Sequence, residues 1–148
     1  MFLVGATLSM GTLITKPEFG VISLLESSLV PLFATLSPLL VVIIFVLWAG
    51  FQTNVSSNLV TVSVVTTVLT TVYATGSIEV QAGTIACLIG FMASLAFMTP
   101  PSMPYVAISV GSGWTNAKDT FLYGGVLFLL SAISAVVIGY PLGVFFGI

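Results

Sequence analysis

Apolar residues run along this chain in long stretches, and short polar or proline-bearing interruptions divide them. The first stretch, 2–15, ends at Thr15-Lys16-Pro17-Glu18, where a proline and two charges stop a helix. The second, 19–36, carries Glu26 and Pro31. It gives way at Ser37-Pro38 to a new helix, with serine as N-cap and proline at the first helical position. Leu39 to Phe51 is apolar, Gln52-Thr53-Asn54-Val55-Ser56-Ser57-Asn58 is polar at six of seven positions, and Leu59 to Val72 is apolar again. Each arm beside that island has about 13 residues and measures about 20 Å, short for a bilayer core of ~30 Å. The pattern therefore predicts a re-entrant helical hairpin over 38–75 with the polar island at its tip, although the same run also fits an ordinary loop between short helices. The second arm has the β-branched content of a strand. An isolated strand in lipid leaves its edge unsatisfied, so helix is expected, with Thr66/Thr70 and Thr67/Thr71 stacked one turn apart for packing.

Val80 to Met98 is rich in glycine, alanine and serine and meets Thr99-Pro100-Pro101-Ser102-Met103-Pro104 before an apolar course resumes at Tyr105. Small residues let helices approach closely, and three prolines in five positions cannot be helical. A broken transmembrane helix over 80–112 is expected, then a polar loop and a final span over 119–147, bent at Gly139-Tyr140-Pro141.

Composition sharpens this reading. Of 148 residues, 58% are hydrophobic and 4% charged, against roughly a quarter charged in a soluble domain. The charges are Lys16, Glu18, Glu26, Glu79, Lys118 and Asp119, and the runs between them are long enough to span a bilayer. The expected fold class is an all-α membrane protein, with polytopic helices, one re-entrant hairpin and one broken transmembrane helix. It would be an integral, multi-pass protein of a cell or plasma membrane, embedded in the lipid bilayer. Counting crossings puts both lysines inside and Glu79 outside, in keeping with the positive-inside rule. Met1 to Leu13 has neither a basic region nor a cleavage site, so it does not read as a signal peptide. With two basic residues there is no basic patch, and no nucleic-acid partner is expected. Histidine, cysteine pairs and a phosphate-cradling glycine loop are absent from the sequence, which leaves no candidates for zinc, histidine-based or nucleotide chemistry. The chain is not expected to be an enzyme. Cys87, in an apolar run, reads as a buried, inert thiol.

The informative polar groups lie where they cost most. Hydroxyls of Thr53, Ser56 and Ser57, the amide oxygen of Asn58 and carbonyls freed by the proline break are hard oxygen donors that suit sodium. Helices beginning at such tips also present free N–H groups and a positive dipole end to an anion. Asn54-Val55-Ser56 matches a glycosylation sequon, a weak signal. Trp48 and Trp114 read as interface anchors or packing residues, and Glu26 as an unpaired intramembrane acid, the alternative being a helix end in water.

Thr53-x-x-Ser56-Ser57-Asn58 before an apolar helix, Phe97-Met98-x-Pro100, Ala107-Ile108-x-Val110-Gly111-Ser112-Gly113 and Lys118-Asp119 together resemble the second half of the divalent anion–sodium symporter (dicarboxylate/sulfate carrier) family. That family has two inverted repeats, each with a re-entrant hairpin and a broken helix, and the resemblance covers Gly5 onward as one repeat with its flanks. It implies a single membrane domain, 1–148, that binds sodium ion through Thr53, Ser56, Asn58 and a carbonyl near Ser102. Substrate contacts fall on Ser57, Asn58, Leu59, Met103 and Pro104. The implied function is sodium-coupled transport of a small anion by alternating access. The other repeat would come from a missing N-terminal part or a partner chain, and the complete transporter would form a homodimer. Leu59 and Met103 depart from the family pattern by replacing hydroxyl-bearing positions, which points away from a C4-dicarboxylate. The rival expectation is a non-catalytic structural subunit of a membrane complex, in which the island is interhelical glue.

Overall fold

A computed structural model describes residues 36–74, 76, 81–100 and 102–147, with isolated positions 20, 27 and 31. The expected segments 2–15 and 19–36, with Glu26, Glu79 and the count of crossings, lie outside the described residues apart from those positions. Among the described residues every regular element is helical. The helices are α1 Pro38–Val55, α2 Asn58–Ala74, α3 Ala82–Ala93, α4 Pro104–Gly111, α5 Ala117–Ser134 and α6 Tyr140–Phe146, and a π turn, Ala135–Gly139, joins the last two. Among the described residues two helices are long and apolar enough to cross a membrane: α1, and the continuous 30-residue helix Ala117–Phe146.

α1 starts where expected, with Ser37 extended ahead of Pro38, but the Ser37 hydroxyl makes no capping bond. The hairpin arms are longer than the apolar pattern predicts, 18 residues in α1 and 17 in α2. Gln52 to Val55 stay helical and Asn58 already belongs to α2, leaving Ser56 and Ser57 as the turn. Arm length therefore gives no reason for the hairpin to turn back inside a bilayer, since 18 residues reach about 27 Å. The β-branched second arm is helical as expected, and its threonine hydroxyls bond back to carbonyls of their own helix. Thr67 donates to Ser63 O at 2.7 Å, Thr71 to Thr67 O at 2.9 Å and Thr70 to Thr67 O at 2.9 Å, while Thr66 donates to Val62 O. Those hydroxyls are turned inward on α2 rather than across to a neighbour.

The core lies where α1, α2 and α3 meet, with Val42, Phe45, Val46 and Ala49 packed against Val65, Leu69, Val72, Ile85, Ile89 and Met92. Trp48 joins it, stacked on Phe45 at 6.2 Å between ring centroids. Trp114, by contrast, is 91% exposed and packs on none of these helices. The long helix Ala117–Phe146 runs antiparallel to α3 and the segment after it. A side-chain carbon at Gly143 would meet Thr84, one at Gly139 would meet Leu88, and one at Gly124 would meet the backbone of Phe97 and Met98. The π turn sits just before Pro141, whose ring nitrogen has no proton to donate. Tyr140 N–H reaches back to Ala135 O, a five-residue step that shifts the hydrogen-bond frame ahead of the proline. Cys87 is exposed, contrary to the buried thiol expected, because its face of α3 opens on a groove walled by Leu88, Phe91, Ile138 and Leu142.

α3 ends at Ala93, five residues before the helix expected to reach Met98. Pro100 bars the helical conformation at Thr99 and clashes with a helical carbonyl four residues back, so the last turn cannot form. Ser94 to Pro100, Ser102 and Met103 are consequently irregular, and Pro104 restarts the chain as α4.

Gly124 tests this packing. Gly124→Ala is expected to destabilise by ~1–3 kcal/mol, since its new methyl meets backbone that cannot rotate away. Gly90→Ala, with open space around it, is expected to be neutral or to stabilise by up to ~1 kcal/mol. Thermal unfolding of both variants in one detergent checks the difference, and equal midpoints would refute the close approach.

Candidate functional site

The hairpin turn closes because its own hydroxyls satisfy the two helix ends. Ser56 N–H donates to Gln52 O at 2.8 Å, ending α1, and Ser56 Oγ donates to the same carbonyl at 3.0 Å. Ser57 Oγ accepts Val60 N–H at 3.3 Å and Ser57 O accepts Thr61 N–H at 3.0 Å, the pattern of an N-cap for α2. Two residues suffice for the turn on these terms. Ser56 Oγ also lies 3.3 Å from Thr61 Oγ1, which is buried.

Thr53, in the last turn of α1, is fully buried. Its hydroxyl oxygen is 2.8 Å from Asn58 Oδ1 and 2.6 Å from Ala93 O, the end of α3. One hydroxyl proton can serve only one of these acceptors at a time, so three oxygens share a single donor proton. Asn58 Nδ2 points the other way and donates to Met103 Sδ at 3.8 Å. Met103 is the N-cap of α4. Four helix ends thus converge: the C-termini of α1 and α3 at the Thr53 hydroxyl, and the N-termini of α2 and α4 across Asn58 and Met103. Carbonyl ends carry partial negative charge and N–H ends partial positive charge, so the place offers both signs without an ionised side chain. Lys118 and Asp119 are the only charged side chains among the described residues, and both are exposed on the first turn of α5.

Of the residues singled out from sequence, Thr53, Asn58 and Met103 come together here, with Ser56 and Ser57 forming the turn beside them. Ser102 precedes Met103, but its hydroxyl is engaged inside the irregular segment, on Thr99 O at 2.5 Å and Ala96 O at 3.2 Å. The carbonyl that faces Thr53 is that of Ala93. Leu59 is 53% exposed on the first turn of α2, and Pro104 is exposed at the start of α4. Two participants escaped the sequence reading. Ala93 enters only through its carbonyl, which no residue type advertises. Asn54 figured there as a sequon residue, yet it is 2% exposed with its amide hydrogen-bonded, leaving a glycan no access. The one available signal was an asparagine inside a helical turn, where its side chain competes with the backbone for hydrogen bonds.

Two larger cavities lie away from this convergence, about 390 Å³ between α4 and α5 and about 420 Å³ between α3 and the π turn with α6. The second is walled mainly by apolar side chains, whereas Ser109, Thr115, Asp119 and Thr120 belong to the wall of the first. The oxygens around Thr53 lie at hydrogen-bond distance from its hydroxyl, 2.6 and 2.8 Å, which leaves no room for an organic molecule between them. Among the described residues there is no group of three or more His, Cys, Asp or Glu that would hold a transition metal. Compared with known proteins, the chain matches no family model and no curated protein.

Thr53→Val keeps the shape of the side chain and removes its hydroxyl, so Ala93 O and Asn58 Oδ1 lose their shared donor. The expected cost is ~1–3 kcal/mol of unfolding free energy. Ser94→Ala, which removes only a bond to Phe91 O at an exposed position, should change stability by under ~0.5 kcal/mol. Denaturant titration of the two variants separates a buried junction from a surface contact, and equal small losses would refute the junction.

Proposed function

We propose that this chain is a membrane domain equivalent to the second repeat of a divalent anion–sodium symporter, moving a small anion with sodium by alternating access. The observation that carries the reading is the meeting of four helix ends at a hairpin turn and a helix break, with three oxygens around one hydroxyl proton. Thr53 Oγ1, Asn58 Oδ1 and Ala93 O would hold sodium, with Ser56 beside them. A cation there relieves the contact between oxygen lone pairs that a single proton leaves unresolved. Ser57, Asn58 and the free N–H groups opening α2 and α4 would face the anion, as broken helices do in secondary transporters. Leu59, Met103 and Pro104 line that side with apolar surface and favour a small anion with an apolar portion.

The re-entrant placement belongs to the same proposal. α3 covers about 18 Å, and α4 with the first two turns of α5 continues beyond the level of the hairpin turn. If α3, the break and α4 together form one span, the turn would lie within the membrane rather than at its surface. A second inverted repeat, supplied by another segment or a partner chain, would complete the substrate site, and the whole transporter would be a homodimer.

A second reading, a structural subunit of a membrane complex, is favoured by one observation. Among the described residues every buried polar side-chain atom already has a hydrogen-bond partner, and a half-turn of the Asn58 amide would let Nδ2 donate to Thr53. Such a tip closes on itself and needs no ion.

Sodium-dependent stability separates the two. A ligand that binds only the folded chain stabilises it by ~2.7 kcal/mol at 100 times its Kd, and a self-closed tip gains nothing. Raising sodium at constant ionic strength, with choline as replacement, should raise the melting point of the protein in detergent, and Asn58→Ala should abolish most of the rise without preventing membrane insertion. Equal melting points in sodium and choline would overturn the transporter reading.

A further inference from the structure

Thr53 touches the break at Ala93; the residue after it does more. Asn54 Oδ1 accepts the Met98 N–H at 2.7 Å, and Asn54 O accepts the Thr99 hydroxyl. Its own Nδ2 is fixed on Gly50 O at 2.7 Å, one turn back on α1. The irregular segment is thereby tied to the end of α1 at both sides of a six-residue loop, at Ala93 by Thr53 and at Met98–Thr99 by Asn54. From the opposite side, Gly124 of α5 lies against Phe97 and Met98 so closely that a methyl group would not fit. Met98 is therefore the point where the hairpin, the break and the long helix touch.

We infer that Asn54 is a positioning residue that couples ion occupancy at Thr53, Asn58 and Ala93 to the break and, through Met98, to α5. The inference rests on the sodium reading above. Without an ion, the tip and the break are held together by a few neutral hydrogen bonds, and the weakest parts of a structure open locally. An ion held by Thr53 and Ala93 together would pin the start of the loop to the last turn of α1. Asn54 then has to keep its grip on Met98, so the end of the loop is ordered together with its beginning. Asn54 itself contributes no ligand to the ion, because both ends of its amide are occupied.

Hydrogen exchange at the Met98 amide, isolated by selective methionine labelling, tests this in the full chain in detergent. In sodium the wild-type amide should exchange about ten-fold more slowly than in choline, together with the Val60 and Thr61 amides of the tip. In Asn54→Ala, Met98 should exchange quickly and indifferently to sodium while Val60 and Thr61 keep their sodium response, which also shows that the variant is folded. Sodium-sensitive Met98 in Asn54→Ala, or a wild-type sodium response confined to the tip, would overturn the coupling. Absence of any sodium response in the wild type, at the tip as well as at Met98, would instead overturn the sodium reading on which the coupling depends.

Discussion

Two helices that stop inside a protein leave backbone carbonyls without partners, and those groups are expensive to bury. α1 and α3 stop side by side, and each supplies what the other lacks. Thr53 brings a hydroxyl to the last carbonyl of α3, while the last turn of α1 receives the Thr99 hydroxyl and captures the Met98 N–H through Asn54. The junction sets the rest. It fixes where the irregular segment leaves α3, hence where Pro104 can restart α4, and it brings the first residue of α2 against the N-cap of α4. It also presents the Phe97–Met98 backbone to Gly124, so the long helix is registered on the same few residues. Disturbing the junction would release three packed elements at once.

The parts of this arrangement that follow from residue type were readable in the sequence. Long apolar runs gave helices, Ser37-Pro38 marked the start of α1, and the polar island marked a turn. The proline cluster marked an interruption. The parts that depend on which backbone group meets which were not. Gln52 to Val55 look like loop by polarity, yet they complete α1 because Thr53 and Asn54 have partners in the break. The helix before the prolines ends at Ala93 rather than Met98, since the proline acts on residues preceding it and the Met98 N–H finds a better acceptor on Asn54. The Ala93 carbonyl carries no signature at all. Cys87 was misread because an apolar run does not say which face of its helix is covered.

Helix ends also explain why so little formal charge could serve an ionic function. Two carbonyl ends and two N–H ends meet at one turn, so a cation and an anion could each find partial charges of the opposite sign a few ångströms apart. An ionised side chain there would bind more tightly and hold its ligand for longer, whereas the proposed transport would require release. Neutral oxygens and helix ends fit the proposed site, which would have to fill and empty. The exposed apolar faces of α5 and α6, with Phe121, Leu122, Leu129, Ile133, Val137 and Phe145 outward, fit a surface met by lipid or by further protein.

A high-resolution crystal structure of the protein in sodium gives the most direct view of the proposed ion. A density peak is expected in contact with Thr53 Oγ1, Asn58 Oδ1 and Ala93 O, closer to them than a hydrogen-bonded water would sit, and lost when choline replaces sodium. A junction with the same three oxygens hydrogen-bonded to one another, and no cation density between them, would contradict it.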